Sequence, residues 1–309
     1  VTETLQAALA SFELSCVADG VTDRTIRWYI YLLAETPNAA LPWLAERGII
    51  EVRRVTVDLL RQYIGWLRKQ PLVRTGGEQA AATIAGYIRV LHRFFGWCAV
   101  EYALPDPMAR IAYPKTAEQK PKSVSLQDIV AMFNATDAGA HGARNRALLA
   151  FLIDTGCRAA GLCTLTIDKI DFQRQRALVT EKGNKTRMIV WTERTGQILT
   201  EWAQWRAPVT PFFYNLRTLQ PLTPDGLRVI IRKLANEAGV EGRVNPHSFR
   251  HAFAREYILN GGDLATLSRL MGHRQVSTTV GYYAIFTNDE LAQQHQQFSP
   301  MSRMSMGGE

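Results

Sequence analysis

Apolar residues in the first third of the chain recur at three- and four-residue spacing, which places them on single faces of helices. Ile26, Tyr29, Ile30 and Leu33 form one such face, and Val57, Leu60, Tyr63, Ile64 and Leu67 form another. A third runs through Ile84, Tyr87, Ile88, Leu91, Phe95 and Cys98. Polar stretches at 35–40 and 71–78 separate these segments, so residues 1–112 read as an all-helical bundle of about four helices.

The pattern then breaks. Residues 104–107 and 113–122 together hold four prolines and three lysines, a composition that stops helices and stays solvated. Residues 113–122 are therefore expected to be a linker, and 123–309 a second domain. Ser125 has the character of an N-cap, with Asp128 three residues on, and 144–153 continues as an apolar helix stopped at Asp154-Thr-Gly156. Two alternating stretches, 176–180 and 187–191, flank Glu181-Lys-Gly-Asn-Lys-Thr186 and predict a β-hairpin with lysines near its tip. Further helices are expected over 227–238, 248–260, 264–270 and 289–297. The fold class is thus mainly α: an N-terminal helical bundle followed by a mixed α/β domain with a small antiparallel sheet.

Charge adds a direction. The chain has 309 residues and a formal net charge of +8, and residues 121–309 supply +6 of it. A basic excess of this size suits a polyanionic partner without requiring one. The four cysteines form no Cys-x-x-Cys pair and read as free thiols of a reducing compartment. No apolar run approaches the ~20 residues that span a bilayer, so a soluble, cytoplasmic, nucleoid-associated protein without a membrane partner is expected.

No phosphate-binding Gly-x-x-x-x-Gly-Lys-Ser/Thr loop and no Gly-x-Gly-x-x-Gly fingerprint occurs, which argues against nucleotide hydrolysis and dinucleotide binding. His247 and His251 lie one helical turn apart, but Ser248 stands where a zinc-protease motif needs Glu, so neither a metal nor an organic cofactor is expected. The remaining candidates are cationic. Arg158 opens an apolar helix, His247 and Arg250 share a face at i and i+3, Gly272-His273 ends a short helix, and Tyr282-Tyr283 follows.

In this order, Thr155-Gly-Cys-Arg158, a hairpin lysine, His247-Ser-Phe-Arg-His-Ala-Phe-Ala254, Leu270-Met-Gly-His273 and Ser277-Thr-Thr279 followed by Tyr282 resemble the tyrosine recombinase, or phage integrase, family of Xer-like character. The separations from His247 to His273, 26 residues, and from His273 to Tyr282, 9 residues, are similar to that family's. The resemblance spans nearly the whole chain. It implies a SAM-like core-binding domain over 1–112 and a catalytic domain over 123–309. It further implies site-specific recombination through a 3′-phosphotyrosyl intermediate and a Holliday junction. The implied partners are double-stranded DNA carrying specific recombination sites and a homotetramer on two such sites. The stretch 288–298 resembles the family helix that docks on a neighbouring subunit, although an amphipathic tail reads the same way.

The resemblance also assigns roles. Arg158 and Arg250 bind the scissile phosphate, His247 and His273 add hydrogen bonds, and Tyr282 is the nucleophile. Lys182 is the general acid, favoured over Lys185 because it precedes the turn glycine; Tyr282 is favoured over Tyr283 by spacing. The other basic residues, among them Arg228, Arg232, Lys233 and Arg243, are left for the DNA backbone. One position departs: the family commonly has an acidic residue three after the first arginine, and here it is Gly161. Relaxation by a type IB topoisomerase-like reaction, or DNA binding without catalysis, are the alternatives the same residues leave.

Overall fold

The computed structural model describes residues 3–71, 79–113, 123–181, 185–242, 244–272, 290, 292 and 295–297. The chain divides into two compact units, Val1–Gln119 and Lys120–Glu309.

The described elements of the first unit are helical, joined by loops and an isolated antiparallel bridge between Thr4 and Glu51. The unit contains α1 (Leu5–Ala18), α2 (Asp23–Ile30), a π-helical turn (Tyr31–Glu35), α3 (Ala40–Ala45), α4 (Val57–Lys69) and α5 (Ala81–Glu101). The faces expected from periodicity turn inward: Leu60, Tyr63, Ile64 and Leu67 on α4 meet Ile84, Tyr87, Ile88 and Leu91 on α5 in one core. The short α3 is additional to the expected segments. Its six residues are too few to show a period, yet Leu41, Trp43 and Leu44 are all buried.

The second unit opens with α6 (Leu126–Asn134), capped by Ser125, whose hydroxyl accepts the Asp128 amide at 3.0 Å. It continues through α7 (Gly139–Thr155) and the short α8 (Ala159–Cys163). The strands follow as β1 (Ile170–Asp171), β2 (Arg176–Glu181) and β3 (Lys185–Val190), an antiparallel sheet in the order β1-β2-β3. The hairpin expected from alternation is present, with Leu178 opposite Met188 and Val179 opposite Arg187, and the two-residue β1 adds a third strand. The helices that follow among the described residues are α9 (Glu193–Trp205), α10 (Pro224–Glu237), α11 (Pro246–Leu259) and α12 (Leu264–Met271). Among these α9 was not expected from the pattern, because Gly196 and the buried Thr195 interrupt a narrow apolar face that rests on Leu199 and Trp202. At 290, 292 and 295–297 the backbone is helical; the rest of the helix expected over 289–297 lies outside the described residues. The fold class is as expected: mainly helical with a small antiparallel sheet.

Helix α7 is the axis of this unit. Ala147, Leu148, Leu149, Phe151 and Leu152 are buried around nearly its whole circumference, with α9 and α11 packed against it. A helix apolar on all sides must be enclosed, and its C-terminal end therefore emerges at a fixed place. That end is also tied from outside. The Asp154 carboxylate accepts the Thr192 backbone N–H at 2.7 Å and its hydroxyl at 2.8 Å, so the last turn of α7 caps the start of α9. Among the described residues, no helix is long and apolar enough to cross a membrane.

Replacing Asp154 by Ala removes both bonds and should lower stability by about 1–2 kcal/mol. Urea unfolding monitored by tryptophan fluorescence should show this as a lower midpoint with an unchanged slope; an unchanged midpoint would show that the tie contributes nothing.

Candidate active site

Three segments meet at the end of α7. The first is the α7–α8 turn. Gly156 ends α7 with φ +55°, a left-handed conformation that glycine adopts without strain, and a Cβ there would collide with the Phe253 ring of α11. Thr155 fixes the turn: its hydroxyl donates to Phe151 O at 2.5 Å and accepts the Cys157 N–H at 3.1 Å. Arg158 follows as the extended N-cap of α8, half-buried, at the point where the chain reverses.

The second segment is the start of α11. Asn245 caps it reciprocally: its side chain accepts the amides of His247 and Ser248 at 2.9 and 3.2 Å, while Ser248 Oγ accepts the Asn245 amide at 3.1 Å. Pro246 occupies the first helical position, where its missing N–H costs nothing. The capped helix presents His247 at an exposed position and Arg250 one turn deeper, only 3% exposed. Arg250 donates from Nη1 to Gly156 O at 2.5 Å and from Nη2 to Met271 O at 2.7 Å.

The third segment is the end of α12, where Gly272 also adopts a left-handed conformation with φ +64°. Thus Arg250 bridges the residue two before Arg158 and the residue two before His273. Motifs separated by roughly a hundred residues are held by one guanidinium.

Electrostatics report the same convergence. Although His247 is exposed as a residue, its ring stands edge-on to His251 with centroids 4.2 Å apart. Partial desolvation, and then the charges of Arg250 and Arg158, hold its pKa below the ordinary imidazole value. Both effects favour the neutral ring. His251 is more deeply placed: burial first, then His247 and Arg250, bring its pKa down to about 4.

Of the expected site residues, Arg158, His247 and Arg250 come together here. Lys182, His273 and Tyr282 lie outside the described residues, as do Tyr283, Arg243 and the 277–279 stretch. Gly161 is buried in α8, where a Cβ would sit 3.1 Å from Cys157 Sγ and in ordinary contact with Val179 of β2, so any larger side chain there needs the Cys157 thiol to shift by a few tenths of an ångström. On α10, Arg228 pairs with Asp225 and Lys233 with Glu237 at 3.5 Å, so part of the basic excess is engaged within that helix. Glu290 pairs with Arg255 of α11 in the same chain. Sequence reasoning missed Arg187, whose Nη1 donates to Leu270 O at 2.5 Å. Its signal was a cation on the inward-facing set of an otherwise apolar hairpin.

The histidine pair gives a pH dependence. Between pH 6.5 and about 4 the unfolded chain protonates His251 while the folded ring stays neutral, so stability falls as the pH drops through that window and is unaffected above it. Urea midpoints at pH 7 and pH 5 should therefore differ more in the wild type than in His251→Gln. Equal differences would contradict the placement of this ring.

Comparison with known proteins gives the site its context. The model of the phage integrase family matches residues 122–289. Tyrosine recombinase XerD of Listeria innocua is 30% identical over 227 residues, 71% of this chain and 76% of that protein. Tyrosine recombinase XerC of Pediococcus pentosaceus is 27% identical over 297 residues, 91% of this chain and 93% of its own length. Among solved structures, the Tn1549 transposon integrase in complex with a circular intermediate DNA superposes with a TM-score of 0.72 at 15% identity, covering 94% of this chain and 99% of that one. The XerH site-specific recombinase bound to a palindromic difH substrate superposes at 0.66 and 18% identity, covering 95% and 85%. The family match and these relatives establish that this chain belongs to the phage integrase family and is a tyrosine-type site-specific recombinase acting on DNA.

Proposed function

We propose that the chain cuts and rejoins double-stranded DNA at specific sites through a covalent 3′-phosphotyrosyl intermediate, with Tyr282 as nucleophile. The observation that carries this reading is the convergence of Arg158, His247 and Arg250, with Arg250 hydrogen-bonded to the main chain beside both Arg158 and Gly272-His273.

The chemistry follows from charge. Attack on a phosphodiester builds negative charge on the non-bridging oxygens, and guanidinium groups match two oxygens at once. Arg158 and Arg250 hold the scissile phosphate, and His247 and His273 donate or accept hydrogen bonds at its rim. A phenol with an ordinary pKa near ~10 is a poor nucleophile at pH 7 and needs a base. His247, whose neutral form is favoured by desolvation and then by Arg250 and Arg158, is suited to take that proton. The Tyr282 oxygen forms its bond to phosphorus as the bond to the 5′-oxygen breaks, and Lys182 donates a proton to the leaving 5′-oxygen. A 5′-hydroxyl from another strand then reverses the steps, releasing Tyr282. The energy of the broken ester is retained in the phosphotyrosine, so no nucleotide is consumed.

The first unit serves as the core-binding domain and the second as the catalytic domain. Four protomers on two DNA sites exchange strands in pairs through a Holliday junction. The DNA-bound relatives, including a lambda integrase dimer bound to a COC′ core site, support duplex DNA as the partner. A cytoplasmic, nucleoid-associated location follows from that substrate.

The test uses a duplex selected from a random-sequence pool by binding to the full chain, then nicked near the scissile position so that cleavage becomes irreversible. Wild type should form a covalent protein–DNA adduct and Tyr282→Phe none. Arg158→Ala should bind the duplex but cleave about 100-fold or more slowly. An adduct that persists in Tyr282→Phe would overturn the nucleophile, and plasmid relaxation without recombinant product would replace recombination by topoisomerase activity.

A further inference from the structure

The β2–β3 hairpin is apolar on both faces. Ala177, Val179 and Ile189 turn inward and are buried, while Leu178, Met188 and Val190 are exposed at 43–55%. Arg187 lies on the inward set, directly opposite Val179 and two residues from Ile189. An arginine enters such a face only where its donors are met.

Its Nη1 donor is met at the C-terminal end of α12. Nη1 of Arg187 donates to Leu270 O at 2.5 Å, and Nη2 of Arg250 donates to the next carbonyl, Met271 O, at 2.7 Å. Two cations thus hold consecutive carbonyls at the end of an eight-residue helix, where the last carbonyls lack helical partners and the dipole is negative. The stem of Arg187 also occupies the space beside Gly272: a Cβ on that residue would stand 2.8 Å from Arg187 Cδ. Gly272 is therefore glycine for two reasons, its left-handed φ and the arginine beside it. The residue after Gly272 is His273.

We propose that Arg187 is a positioning residue for the recombination reaction. It clamps the end of α12 from the sheet side, sets the backbone from which His273 follows, and holds in register the carbonyl that orients Arg250. It touches neither DNA nor the reacting atoms, and acts through Leu270, Gly272 and Arg250. This inference rests on the phosphoryl-transfer reading above.

Displacement of a phosphate-binding group by about 1 Å costs on the order of 100-fold in rate. The test measures single-turnover cleavage of the nicked, selected duplex at saturating protein, with binding measured separately. Arg187→Met, which keeps most of the stem, should bind as wild type does and cleave about 100-fold more slowly. Arg187→Lys, which keeps a charged donor, should recover most of the rate. Arg187→Gln serves as a second variant, with the same loss expected, should the methionine variant melt far below wild type.

A duplex with sulfur in place of the bridging 5′-oxygen separates the routes, because a thiolate leaves without protonation. It should restore cleavage by Lys182→Ala and leave Arg187→Met slow. The inference is overturned if Arg187→Met and Arg187→Gln cleave the bound oxygen ester at the wild-type rate. It is also overturned if sulfur restores Arg187→Met as it restores Lys182→Ala, since Arg187 would then act through the hairpin tip. If Lys182→Ala cleaves the oxygen ester as fast as wild type, the general-acid assignment fails instead, and the contrast between Arg187→Met and Arg187→Lys still decides the role of Arg187.

Discussion

A single buried guanidinium organises the second unit. Arg250, 3% exposed, donates to the carbonyls of Gly156 and Met271 and so links the turn before Arg158 to the end of the helix before His273. These bonds are to dipoles. They orient the guanidinium and offset part of its desolvation while leaving its positive charge in place, which is what a site for a phosphodiester needs. Burial lowers the proton affinity of His247 and His251, and the charge of Arg250 adds to this, so the residue contributes to both architecture and potential.

Everything around it fixes the two ends of that bridge. The enclosed α7 brings Gly156 to a set place, Asp154 ties that end to Thr192, and the Asn245–Ser248 box fixes the start of α11. Positive φ at Gly156 and Gly272 allows both helices to end where Arg250 reaches them. Preorganisation of this kind is what the proposed reaction needs, since a phosphate would then meet groups already aligned, with no cost of ordering at the moment of reaction.

Much of this was legible from residue spacing. The helical faces of the first unit and the β-hairpin follow from patterns that repeat locally, and the meeting of Arg158 with His247 and Arg250 was what the family resemblance implied. What escaped depends on tertiary contact. Helix α9 hides its narrow face behind Gly196 and Thr195, and α3 is too short to show a period. Gly161 reads as a missing carboxylate, and that it lies buried close against the Cys157 thiol shows only in the folded chain. Arg187 reads as the polar start of a strand; its inward position on the hairpin signals a buried partner, but which carbonyl it meets, 83 residues away, shows only in the fold.

The bridge itself is open to direct test by hydrogen exchange on the intact chain. If Arg250 holds both ends, Arg250→Met should speed amide exchange in two separated segments together, around Gly156–Arg158 and around Met271–Gly272, while α10 keeps its protection. Exchange that rises in neither segment, or only within α11 itself, would contradict the claim that this one side chain joins the parts of the site.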